Sequence, residues 1–148
     1  MVTSHQKNIA TFIHLSTFSR FFIPFGNFVG PLVLWSINKE KSNFIDTHGK
    51  QAINFQISIL LYALILGTLS IPFFIFKLFN GLDVIDFNGF NNFHINVGKP
   101  SPLLYLGGFL GAVAIIAFII ELILIVVASL KARDGELYEY PLTINFLK

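Results

Sequence analysis

Residues 103–130, "LLYLGGFLGAVAIIAFIIELILIVVASL", hold a single charged side chain, Glu121. Coiled as a helix rising about 1.5 Å per residue, the run exceeds the roughly 30 Å hydrocarbon core of a bilayer. Length bounds the alternatives: 148 residues make at most one domain. Of these, 54% are hydrophobic, with 18 Phe, and only 12% are charged, against about 25% in ordinary soluble domains. A soluble domain of this size buries only about two-thirds of the surface its chain exposes, so lipid must cover the remainder. The chain is therefore expected to be an all-α integral membrane protein with membrane lipids as neighbours.

Other classes drop out on composition. There is no Cys, which excludes disulfide and thiolate chemistry. The net charge of +2 is too small for a nucleic-acid partner. The start, "MVTSHQKNIATFIHLSTFSRF", lacks the uninterrupted apolar core and small-x-small site of a signal peptide.

A second apolar segment covers 44–78, with a Pro72 kink near its far end and Asn43 as helix N-cap ahead of Asp46. The first, 9–37, is interrupted by Pro24, Gly26, Gly30 and Pro31. "FIPFGNFVGP" reads as two short helices around a break. A re-entrant hairpin would place Lys7, Lys39, Lys41, Lys50, Lys131, Arg133 and Lys148 on one side, with only Lys77 and Lys99 opposite. The positive-inside rule then makes both termini cytoplasmic. The expected organisation is one membrane domain over 1–148: broken helical hairpin (9–37), second segment (44–78), outer loop (79–101), third segment (102–130) and cytoplasmic tail (131–148). In the loop, Asn88-Gly89 suits a tight turn and Phe93, Ile95 and Val97 alternate with polar residues. A small extracytoplasmic β-hairpin and an irregular aromatic loop are equally compatible with that pattern.

The second segment carries a row of polar side chains into the membrane. At 100° per residue Thr47, Gln51, Asn54, Ser58 and Tyr62 fall within an arc of about 80°, one stripe that should face other helices rather than lipid. Gln56 points away from it and needs a separate partner. Upstream, Asp46, His48 and Lys50 form a contact surface, a bound-ion site or a simple solvated helix entrance, the last being the expected one. Glu121 lies about 14 Å inside its span by helix rise, and Arg20 is the cation available to pair with it. Gly107, Gly108 and Gly111 read as close-packing positions on the third helix. The four His residues show no metal-ligand spacing, and no catalytic constellation or cofactor motif is present. The chain is not expected to be an enzyme or to hold a cofactor or metal.

At "FIPFGNFVGPLVLW", "NFIDTHGKQAINFQISILLY" and "KARDGELYEYPLTINF" the chain resembles a family of small bacterial membrane proteins. That family is similar to the chloroplast inner-envelope import component Tic-twenty and includes MamF-type magnetosome membrane proteins. The resemblance implies a multi-pass helical protein of the bacterial inner (cytoplasmic) membrane, with no shared catalytic residue. The polar stripe and the intramembrane charge, without a catalytic constellation, point to an accessory or scaffold subunit of a larger membrane assembly with a protein partner or self-association. The resemblance adds a relation to protein translocation. The alternative from the residues is a small channel or transporter lined by the broken first segment and Glu121.

Overall fold

A computed structural model describes residues 2–80, 85–87, 93–95 and 102–148, with side chains over 2–71 and 105–148. Helix α1 spans Ser4–Leu15 and opens on a reciprocal cap: Thr3 Oγ1 accepts from Gln6 N, and Gln6 Oε1 accepts from Thr3 N. The first segment therefore begins before Ile9, because T-x-x-Q satisfies two of the orphan N–H groups of a helix start.

A 3-10 turn, Ser16–Phe21, follows α1, and helix α2 spans Gly26–Asn38. Phe25, in the left-handed region at φ 59°, reverses the chain, and α2 packs back on α1. The break thus lies at residues 22–25. Gly26, Gly30 and Pro31 sit inside α2, contrary to the expectation that they interrupt the segment. A Cβ on Gly30 would lie 2.6 Å from the Ser16 carbonyl oxygen, so glycine is there for close approach to the 3-10 turn. The helix runs through Pro31 at the loss of one i→i−4 hydrogen bond.

A short 3-10 turn, Lys39–Lys41, leads to α3, Asn43–Asn80. Its cap is Ser42, whose Oγ accepts from Ile45 N at 3.2 Å, not the expected Asn43. Strands β1 (Ile85–Phe87) and β2 (Phe93–Ile95) pair antiparallel, Asp86 opposite His94. The remainder of the expected outer loop, with Asn88-Gly89, and the side chain of Pro72 lie outside the described residues. Helix α4 spans Pro102–Asp134. Within α3 and α4, Asn43–Ile71 and Tyr105–Asp134 are long and apolar enough to cross a membrane.

The chain forms two compact units, residues 1–61 with 118–148 and residues 62–117. The first holds both buried apolar clusters. Ile13, Ile45 and Ala52 join α1 to α3 beneath Trp35, and Phe55, Ile125, Ala128 and Tyr140 join α3, α4 and the tail. In the second, most of the described side chains of α3 and α4 are exposed. A Cβ on Gly107, Gly108 or Gly111 would meet nothing within 4 Å among the described residues.

Candidate functional site

Arg20, in the 3-10 turn after α1, and Glu121, on α4, meet in the first unit. The guanidinium donates to both carboxylate oxygens: Nη1 to Oε2 at 3.1 Å, and Nη2 to Oε1. Nη2 also donates to Gln56 Oε1 at 2.8 Å, and Asn27 Nδ2 donates to the same oxygen at 2.8 Å. Gln56 Nε2 completes the ring by donating to Glu121 Oε1 at 3.4 Å. Gln56, off the stripe by helical geometry, finds its partners here. Glu121 is 4% exposed and lies thirteen residues from the α4 end at Asp134, about 20 Å by helix rise. Removing one member of such a buried pair strands the other, a loss of about 3–5 kcal/mol.

Three members of the polar stripe, Gln51, Asn54 and Ser58, bond the tail rather than another helix. Beyond α4 the chain turns at Gly135 (φ 87°) and returns without regular structure along α3. Gln51 Oε1 accepts from Tyr140 N at 3.5 Å, and Ser58 Oγ accepts from Ile144 N at 2.9 Å. Asn54 takes both main-chain groups of Leu147: Oδ1 accepts from N at 2.9 Å, and Nδ2 donates to O at 3.0 Å. Thr47 instead donates to its own helix, at the Asn43 carbonyl, and Tyr62 lies in the second unit. The expectation of a helix as partner fails for a physical reason. A non-helical segment has unpaired N–H and C=O groups, and it needs side-chain donors and acceptors more than a helix does.

The three residues assigned to the helix entrance do not share one surface. Asp46 accepts from Trp35 Nε1 at 2.8 Å and pairs with Lys50 at 2.5 Å. His48, about 160° around the helix from Asp46, is 1% exposed. Its Nδ1 is 2.8 Å from His14 Nε2, and His14 Nδ1 is 2.9 Å from the Tyr140 hydroxyl. Each bond needs one donor and one acceptor. Two neutral tautomers in series satisfy the chain from tail to α1 to α3. The Tyr140 ring is stacked on Phe55, centroids 4.0 Å apart, and burial pushes its hydroxyl pKa well above the ordinary 10. His14 was missed by sequence reasoning, as was the bonding of the stripe to the tail main chain, although a tail packed against the Asp46-to-Lys50 helix entrance is an expectation of the sequence. A lone His in an apolar run was the available signal, but nothing local pairs it with residues 34 and 126 positions away.

Among the described residues no three His, Asp or Glu side chains converge on a common point. The site is a set of polar contacts: an ion-pair ring on one side of α3, and on the other a face that holds a non-helical peptide.

Two helices of spanning length and composition, with a buried ion pair between helical segments, define a helical membrane protein. The chain belongs to the magnetosome magnetite crystal formation protein family (MamF/MmsF), whose family model matches residues 5–147. No curated protein and no solved structure matches it.

Proposed function

We propose that this protein is a non-enzymatic accessory or scaffold subunit of a membrane assembly that supports magnetite crystal formation. The family supplies the setting. The observation that carries the role is that the polar groups of α3 are engaged by Arg20, Asn27 and Glu121 on one side and by the tail main chain on the other. Groups held in this way act as internal joints. A small channel would instead use them to solvate a passing ion.

In this proposal the α1–α2 hairpin is re-entrant and both termini are cytoplasmic in a bacterial inner membrane. Lys7 Nζ donates to the Asp134 carbonyl at 3.0 Å, so the start of α1 lies level with the end of α4. The hairpin tip exposes Phe22, Ile23 and Phe25, the first at 87%, as expected of side chains immersed in acyl chains. The narrower form of the proposal, a share in handling polypeptides, rests on the sequence blocks that resemble Tic-twenty.

Isolation of the native complex in mild detergent tests the role. A protein partner should co-purify, and Asn54→Ala should reduce its yield. If ion flux through reconstituted vesicles responds to Glu121→Gln while assembly is unchanged, the channel alternative replaces this one.

A further inference from the structure

The stripe reads main chain, not side chains. Asn54 bonds the N–H and the C=O of one residue, as a neighbouring β-strand would, and Ser58 takes another N–H three residues upstream. The tail's own Leu142, Ile144 and Phe146 are turned outward and exposed. Recognition of this kind demands an extended, non-helical segment and little of its sequence. The exception is Tyr140, whose ring lies on Phe55 and whose hydroxyl meets His14.

The tail fills this face incompletely. Thr143 Oγ1, on the tail, is buried with no hydrogen-bond partner among the described residues. The Gln51–Tyr140 bond is long, at 3.5 Å. A cavity of about 270 Å³ remains between Asn43, Asp46, Thr47 and Lys50 on α3 and Leu147 and Lys148 of the tail. The connection from Gly135 to Glu139 is exposed at Glu136, Leu137 and Glu139. It is held by the surface pair Lys131–Glu136 and by the approach of the Glu136 main chain to His48. Both are weak restraints beside the contacts of Tyr140 and Leu147.

We propose that the α3 face is a docking site for an extended apolar segment of a partner membrane polypeptide, anchored by a Tyr, and that the tail is its displaceable occupant. This rests on the accessory-subunit proposal and names where the partner binds. Non-helical backbone at membrane depth needs a protein surface that satisfies its N–H and C=O groups. Gln51, Asn54 and Ser58 supply that surface.

The test uses the full chain in lipid nanodiscs and a synthetic peptide of residues 137–148 carrying a photoreactive group at position 145. Because the chain has no Cys, Thr47→Cys with Asn145→Cys, residues that line the same cavity, locks the tail by a disulfide. Peptide cross-links should map to residues 43–62 of the reduced double variant and fall about tenfold or more on oxidation. Tyr140→Ala protein, with a weakened tail, should label more than wild type, because a tethered tail competes at an effective concentration near millimolar. A peptide carrying Tyr140→Ala should label poorly. Equal labelling of reduced and oxidised forms, or none in either at millimolar peptide, overturns the docking site even if Tyr140→Ala fails to fold. Co-purification of a partner without peptide labelling removes the docking site alone. Labelling without a partner removes the accessory role alone.

Discussion

Neutralising Glu121 tests the interior of the molecule most directly. In Glu121→Gln the carboxylate loses two bonds from Arg20, and the amide that replaces it presents N–H groups to the guanidinium or to Gln56. Hydrogen bonds to charged groups contribute about 1.5–3 kcal/mol each. The Arg20 side chain keeps its bond to Gln56, so part of the loss is recovered by that amide. The expected destabilisation is about 3 kcal/mol, at the low end of the range for breaking a buried pair. Arg20→Gln strands the carboxylate, which is only 5% exposed, and should cost about 4 kcal/mol. The double variant restores neutrality, and the coupling energy should recover about 2 kcal/mol of the summed losses. Reversible unfolding in mixed micelles, followed by far-ultraviolet circular dichroism, gives all four corners of the cycle. Losses that add within about 0.5 kcal/mol would mean that the two charges do not stabilise each other, and the ion-pair ring would be refuted.

Asn54→Ala removes both bonds to Leu147 and should expose residues 144–148 to hydrogen exchange at a cost of about 2 kcal/mol. Thr47→Ala, which loses only a bond to its own helix, should cost under about 0.5 kcal/mol, and equal effects would contradict the tail geometry. Gly49→Ala drives a methyl into the Trp35 ring and should destabilise by about 1–3 kcal/mol, relieved in the background of Trp35→Ala; thermal unfolding of the three variants decides. Single Cys at Thr3, Ser42 and Lys148 should label from one side of sealed vesicles only, and labelling of the Thr3 site from the opposite side would make the first segment a crossing. The folded pKa of Tyr140 is raised above its unfolded value of 10 by burial, so its contribution is complete below pH 10 and is lost as pH rises through the folded pKa. Ultraviolet difference titration of wild type against Tyr140→Phe should show Tyr140 ionising above its ordinary value, with tail release accompanying it; ionisation of Tyr140 at the ordinary value would place it outside the core.

Patterns carried by neighbours along the chain are legible in the sequence. The spanning lengths of α3 and α4, the existence of a break in the first segment and the stripe at helical spacing all follow from hydropathy and a 100° turn per residue. The cap at Thr3-x-x-Gln6 is local too, although the apolar run that begins at Ile9 draws the helix start away from it. The position of the break is not legible, because Gly and Pro are ambiguous locally. Gly30 serves contact with Ser16 here, and Pro31 is carried by a helix stabilised elsewhere.

Hydropathy and periodicity determined that the chain enters a membrane, and that Thr47, Gln51, Asn54 and Ser58 share a face needing partners. They could also name Arg20 and Glu121 as charges too costly to leave alone in such a setting. Beyond that pair, which groups meet was decided by tertiary structure. The stripe binds the tail because Gly135 turns the chain back onto α3, and unpaired backbone needs donors and acceptors wherever it is removed from water. His14, His48 and Tyr140 join across 34 and 126 residues for the same reason. Buried polar atoms take the nearest complementary atom in space, and distance along the chain carries no information about it.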